Sequence, residues 1–326
     1  MASALAAPAT DAPVEDLVDW LELTAFFDEY EVARLDAILG SFKLQEDGSE
    51  HDIGDADLSE EDLRQSIENE VQRRADALVH AYPFVLSDDG EVLAFKSKTD
   101  RSSPSIYLVC LILSHVTKSA ILKLPPEDGA VRDVRRRHFQ IVSTLAVAGH
   151  VGGPALSLGW PRVDGGSILS VVARACDRSG TGVARATPGQ LANPAAKDGG
   201  IDVLGWTPAN DRPPPTSFWF GQAASGHGWA DKSSRDEEAE FSRDYFDTPP
   251  QCNHAYVTIC PFLVPIAELE RKSRRHGVVL DRTRAPLAAI KGLELAKSGV
   301  WVEEVGQSHK IALWVGRYRK AVREAA

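Results

Sequence analysis

Over the first 80 residues the apolar positions fall mostly at helical spacing. Leu17, Trp20, Leu21, Leu35, Ile38 and Leu39 keep that spacing with a break near Phe26 and Phe27, which predicts one or two amphipathic helices over 15–40, stopped at Gly40. Residues 45–57 are acidic and contain glycine, and read as a loop. Ser59 is the expected N-cap of the next helix: the acids Glu60, Glu61 and Asp62 fill its first turn, and Leu63, Ile67, Val71 and Leu78 give it an apolar face. Tyr82 to Phe95 predicts two strands around the tight-turn pair Asp89-Gly90, and 103–118 an apolar helix with Pro104 in its first turn. Residues 1–13, rich in Ala, Pro and Thr, read as a disordered terminus.

From Val131 the pattern changes. A helix opens on Arg132, Arg135, Arg136 and Arg137, turns apolar, and ends at Gly152-Gly153-Pro154. Ala155 to Trp160 predicts a strand, Ser167 to Asp177 a helix and Thr181 to Ala196 a loop. Two apolar runs, Ile201 to Trp206 and Ser217 to Ala224, flank a turn whose Pro213, Pro214 and Pro215 cannot occupy a central strand, which predicts a β-hairpin. Trp229 to Phe246 is predicted helical and Ala255 to Cys260 a strand; beyond lie a basic helix, a strand over Val278 to Asp281 and Leu- and Ala-rich helices. The order α, β, α, β, β, α, β predicts an α/β sandwich on a mixed sheet. The expected domains are an acidic, mainly helical one over 14–120 and an α/β one over 130–326 with a helical C-terminal extension.

Charge divides in the same place. The first 100 residues hold 25 acids and seven bases, net −18, whereas the remainder holds 22 and 29, net +7. A field that attracts phosphate comes from local clusters rather than the total, so the overall −11 does not exclude a nucleic-acid partner. The arginines from 132 to 137 either contact phosphate, which guanidinium binds bidentately, or pair with the acidic domain. The longest apolar run, Ile106 to Leu113, is too short to span a bilayer, and no secretory signal is read at the N-terminus, so the expected location is the cytoplasm with no membrane partner. Cys110, Cys176, Cys252 and Cys260 form neither a disulfide framework nor a zinc-site spacing. No HExxH or GxxxxGK[ST] occurs, so any ATP-driven step belongs to a partner such as an ATPase.

The chemistry concentrates in the hairpin. Its first run carries one acid, Asp202, after Gly199-Gly200-Ile201, and its second one amide, Gln222; Lys232 follows ten positions later, with Trp229 three residues before it on the same predicted helical face. A carboxylate among apolar neighbours needs a counter-charge, hydrogen bonds or a metal. The local alternatives are that Asp202 pairs with Lys197 or caps nearby backbone, and that Gln222 bonds neighbouring backbone.

This strand, strand, helix arrangement of acid, polar ligand and lysine resembles the PD-(D/E)xK superfamily, the restriction-endonuclease-like nucleases. Gly-Gly-Ile-Asp followed by a strand ending in glutamine is most similar to its Mrr-type branch, in which glutamine replaces the second acid. The resemblance covers roughly 130–260. It implies a restriction-endonuclease-like core and a DNA endonuclease, suggests a role in prokaryotic defence, and makes Asp202 and Gln222 ligands of Mg²⁺ or Mn²⁺, with Lys232 the positive charge at the phosphate. In the usual motif the lysine stands two residues after the acid or glutamine, where this chain has Ala224; some members carry it on the following helix. The place of a further acid on the first core helix is taken by Gln140. Arg135, Arg136 and His227 are candidate phosphate contacts. The counter-reading is a non-cleaving nuclease-like subunit that binds DNA or a protein partner. Homo-oligomers are compatible with either.

Overall fold

The computed structural model describes residues 5–40, 53–96, 102–116, 121–123, 128–160, 162, 165–193, 197–211 and 214–325. The chain forms two compact units, one of residues 1–127 together with 313–326, the other of residues 128–312. The last helix, read from sequence as an extension of the second domain, therefore contributes to the first unit from Leu313 onward.

In the first unit helix α1 (Val14–Phe27) stops where the helical spacing broke. Glu31 adopts the left-handed conformation at φ 64°, and the chain leaves as strand β1 (Val32–Arg34) instead of continuing as helix. β1 pairs antiparallel with β3 (Val92–Phe95), which pairs with β2 (Phe84–Leu86), so the predicted two-stranded ribbon gains a third strand from inside a segment read as helical. Gly90, at φ 72°, supplies the turn between β2 and β3. Helix α2 (Ile53–Leu78) begins six residues before the expected cap, so Ser59 lies within it; the rest of the predicted acidic loop, 45–52, lies outside the described residues. The apolar α3 (Ser102–His115) is buried along Ile106 to Leu113.

Charged groups hold the interior of this unit together. Arg74 of α2 is fully buried and donates Nη1 to Asp19 at 2.6 Å and Glu22 at 2.9 Å, Nε to Glu70 at 2.7 Å and Nη2 to the Glu15 carbonyl at 2.9 Å. Tyr82 and Tyr107 each donate a hydroxyl to Glu22 at 2.7 Å, and His115 Nε2 lies 2.7 Å from Asp19. Such a cluster survives burial because each carboxylate meets several donors.

The second unit is built on a five-stranded mixed sheet in the order β10–β9–β7–β6–β4, formed by β4 (Ala155–Ser157), β6 (Val203–Thr207), β7 (Ser217–Ala223), β9 (Asn253–Ile259) and β10 (Val278–Leu280). β4–β6 and β6–β7 are antiparallel, whereas β7–β9 and β9–β10 are parallel. The predicted α/β sandwich on a mixed sheet is what forms. Helix α4 (Asp128–Asp133) passes through a π-helical turn (Val134–His138) into α5 (Phe139–Val151).

Strand alternation sorts the two faces. Leu204, Trp206, Phe218 and Phe220 pack against α6 (Ile168–Ser179) and α7 (Ser234–Tyr245), while Gly205 and Gly221 face Val147 of α5 on the other side. α9 (Ala285–Lys297) lies against α5 through small residues: a methyl on Gly149 would sit 1.9 Å from the Ala288 carbonyl, and one on Gly292 2.0 Å from the Leu145 carbonyl. Within the loop expected over 181–196, β5 (Val183–Ala184) pairs with β8 (Phe246–Thr248), and 194–196 fall outside the described residues. α8 (Ile266–His276) precedes β10, and α10 (His309–Ala325) ends the chain. Among the described residues no helix is long and apolar enough to cross a membrane.

Candidate functional site

Asp202 and Gln222 lie at one end of the β6–β7 pair. The antiparallel register sets Leu204 opposite Phe220 and Val203 opposite Gly221 and ends there; Asp202 follows just outside it, its amide bonding the Gly221 carbonyl at 2.9 Å, while Gln222 continues β7 opposite Thr258 of β9. Gln222, two positions from Phe220, shares its face of the sheet, the one that carries Leu204, Phe220 and the apolar layer of α6 and α7.

The Gly-Gly before Asp202 has a steric reason. Both glycines are left-handed, at φ 67° and 84°. A Cβ on Gly199 would come within 2.8 Å of the Tyr245 ring, and one on Gly200 within 2.8 Å of Glu237 Oε2, so only glycine lets this turn close against α7. Asp198 caps it, accepting from the Gly200 amide at 3.0 Å.

The partly buried Asp202 carboxylate accepts one local bond, from the Ala223 amide to Oδ2 at 2.9 Å. Burial, with nearby Asp198, raises its pKa to about 7, while the Ala223 amide and the Lys232 ammonium pull the other way. The backbone behind it is fixed from the opposite side of the sheet: buried Gln140 of α5 donates Nε2 to the Asp202 carbonyl at 2.8 Å and to Ser157 Oγ at 3.0 Å. Where the resemblance places a further acid, this chain has a brace.

Gln222 is 7% exposed, and its Oε1 has no hydrogen-bond partner among the described residues. Such an orphaned acceptor costs about 1–3 kcal/mol. The local alternative read from sequence, that Gln222 satisfies itself on neighbouring backbone, does not hold for this oxygen.

Lys232 does not sit on a helix. A 3-10 turn (His227–Asp231) follows β7, Lys232 is extended at φ −116°, ψ 129°, and α7 begins only after Ser233, whose hydroxyl accepts from the Arg235 amide. The predicted helix over 229–246 is thus split, and Lys232 lies on an exposed linker, near enough to Asp202 to favour its charged form. Ala224, where the usual motif has lysine, is buried and donates its amide to Ile259 at 2.8 Å.

The end of α8 holds that linker. Arg275 donates Nη1 to the Ala230 carbonyl at 3.2 Å, Nη2 to the Asp231 carbonyl at 3.1 Å and Nε to Asp236 at 2.8 Å. His276, its pKa lowered by burial, stands with Nε2 3.2 Å from the Ala230 carbonyl and Nδ1 3.2 Å from Thr258 Oγ1. The carbonyl requires the proton on Nε2, so Nδ1 accepts from Thr258. Arg275→Ala removes three charge-assisted bonds from the linker, and amide exchange at Trp229 and Lys232 is expected to rise by about tenfold or more while β7 keeps its protection. Unchanged exchange would show that Arg275 does not restrain Lys232.

The candidate phosphate contacts divide. Arg135, in the π-helical turn, donates Nη2 to the Ser225 carbonyl at 3.2 Å and braces the loop after β7; Arg136 beside it is exposed. His227 is exposed, its ring 4.7 Å from that of Phe262. The structure sets Asp202 and Gln222 at one end of the β6–β7 pair, with Lys232 close enough to act on the Asp202 charge. Asp198, Gln140 and Arg275 went unremarked as site residues or, for Gln140, were read only as a missing acid. Among the described residues no three His, Cys, Asp or Glu side chains converge as a metal-binding group. Compared with protein families, with curated proteins and with solved structures, the chain matches none of them.

Proposed function

We propose that the second unit is a divalent-metal-dependent DNA endonuclease of the restriction-endonuclease-like type, the activity that the sequence resemblance implies. The observation that carries this reading is the pair of oxygens at the end of β6–β7: the Asp202 carboxylate, held by the amide of Ala223 next to Gln222, and Gln222 Oε1, buried and without a partner among the described residues. A hard cation is the occupant that suits them, because Mg²⁺ binds oxygen and retains several waters, so one carboxylate and one amide oxygen suffice as protein ligands. With the short β5–β8 ribbon left out, the element order α5, β4, α6, β6, β7, α7, β9 also accords with the core expected for that superfamily.

A bound Mg²⁺ or Mn²⁺ supplies an activated water and a counter-charge for the phosphate. Asp202 and Gln222 would hold it. Asp202 must act as a carboxylate, the form that Lys232 favours, and the ammonium on its exposed linker reaches outward to offset charge on the phosphodiester. Gln140 fixes the Asp202 backbone through its carbonyl, and the Ala223 amide holds the carboxylate itself. Arg136 offers backbone phosphates a guanidinium beside the Arg135 brace.

The test is cleavage of supercoiled plasmid with Mg²⁺ or Mn²⁺. Wild type is expected to nick or linearise the plasmid and Asp202→Ala to lose at least about 100-fold of that activity. Equal activity in the two would sink the assignment. The absence of a three-residue metal group among the described residues, and Ala224 at the usual lysine position, favour a second reading as a non-cleaving DNA- or partner-binding subunit. Calorimetry separates the two: Asp202-dependent Mg²⁺ binding at millimolar concentration supports the nuclease, and none supports the binding subunit.

A further inference from the structure

His254, the second residue of β9, is held at both ends of its ring. Its Nε2 lies 2.9 Å from the Pro250 carbonyl in the loop between β8 and β9, and its Nδ1 lies 3.3 Å from Glu238 Oε1 on α7. Neither partner donates. A carbonyl only accepts, and the Glu238 oxygen already takes the Ser242 hydroxyl at 2.6 Å. A neutral imidazole has one N–H, so in either tautomer a ring lone pair would face an oxygen lone pair, whereas the imidazolium satisfies both contacts. The surroundings agree with a charge shared by these two groups. From β9, Tyr256 gives its hydroxyl to Glu238 as well and carries the Arg235 guanidinium 5.1 Å over its ring, while β7 offers the uncharged Phe220 ring at 5.3 Å. The loop is anchored on its other side, where the Gln251 amide donates to Thr181 Oγ1 at 2.9 Å.

We propose that His254 is a proton-operated latch: as an imidazolium it ties the first half of α7 to β9 and the anchored loop, and on losing its proton it loosens that half. Phe241 and Tyr245 keep the second half of α7 in the core in either state. The bond to Glu238 holds the His254 pKa above its ordinary 6.5 against the opposing effect of burial, and the same bond holds the Glu238 carboxyl below its ordinary 4.5. The latch is closed between those two titrations. On the alkaline side its stabilisation is present below the ordinary imidazole value and is lost as pH rises through the raised one; on the acid side it is lost as pH falls through the lowered carboxyl value. The consequence reaches the turn before Asp202. Glu237, next to Glu238 in α7, stands so close to Gly200 that a Cβ there would come within 2.8 Å of its Oε2, so loosening this half of the helix loosens the wall against which that turn closes. The latch does not depend on the nuclease reading, since it concerns α7 whatever the site at Asp202 does.

Nitrogen NMR of the full chain, isotopically labelled at its histidines, tests the latch, with His254→Gln identifying the signal by its loss. The His254 ring is expected to titrate above 6.5 with both nitrogens protonated below its midpoint, and Glu238→Gln should remove the upward shift. If His254→Gln does not fold, the one midpoint that Glu238→Gln moves identifies the signal instead. Amide exchange over 237–240, corrected for its intrinsic dependence on pH, should rise at least about threefold from pH 6 to pH 9 in wild type and stay level in His254→Gln, which has no proton to lose. A His254 midpoint at or below 6.5, or one that Glu238→Gln leaves in place, would overturn the imidazolium. A raised midpoint with unchanged exchange over 237–240 would overturn the latch and leave His254 and Glu238 as an ordinary ion pair.

Discussion

Arg74→Met should destabilise the first unit by about 3–5 kcal/mol, seen as a lower urea midpoint for the full chain. The guanidinium is fully buried and is shared by Asp19, Glu22 and Glu70, each less than a tenth exposed. Methionine fills similar volume, so the loss comes from three carboxylates left out of water with fewer donors rather than from a cavity. Glu22 keeps the hydroxyls of Tyr82 and Tyr107 and Asp19 keeps His115, which caps the damage without replacing the charge. Because the stranded acids gain by taking up protons, the deficit should shrink as pH falls toward 4. Adding Asp19→Asn and Glu22→Gln to Arg74→Met should recover a large part of it, since a buried ionic group is often replaceable as a set though not singly. A loss under about 1 kcal/mol for the single change would mean that water reaches these groups.

What was legible in the sequence was what local pattern encodes. The hairpin that carries Asp202 and Gln222 followed from alternation and a proline-rich turn, and α6, β9 and β10 from apolar spacing near their observed bounds. β1 was not legible: three residues gain their strand state from β3, nearly 60 positions away, and the only local hint was the broken spacing at Phe26 and Phe27. The position of Lys232 could have been read. Ser233 followed by Arg235, Asp236 and Glu237 carries a helix N-cap with acids in the first turn, which puts the helix start after the lysine rather than before it. Gln140 and Arg275 act on backbone carbonyls of distant segments, and a residue whose partner is a carbonyl leaves no complementary side chain in the sequence to betray it. Arg74 was hidden for the opposite reason. On a predicted amphipathic helix an arginine reads as surface, and only the tertiary meeting with Asp19 and Glu22 makes it a core residue.

Asp202→Asn is expected to stabilise the protein in EDTA at pH 8 while abolishing cleavage. The folded chain raises the Asp202 carboxyl from its ordinary 3.8 to about 7, chiefly by burial. The folded state therefore holds a proton that the unfolded chain has released over that interval. The stabilisation this gives is fully present below the ordinary value and is lost as pH rises through about 7. Above pH 7 the wild type carries a buried charge that only the Ala223 amide and Lys232 offset, whereas asparagine keeps an oxygen for that amide and no charge. The gain should be about 1–3 kcal/mol at pH 8, moderated because the carboxyl keeps partial exposure, and close to zero below pH 4. Millimolar Mg²⁺ should close the gap from the other side, raising the melting temperature of wild type and leaving Asp202→Asn where it was. The stability lost to the Asp202 charge and to the unpartnered Gln222 oxygen would then be what the site returns on binding the cation. Equal melting temperatures for the two proteins across pH 4 to 8, or an equal response to Mg²⁺, would show that this carboxylate is neither strained in the free protein nor a metal ligand.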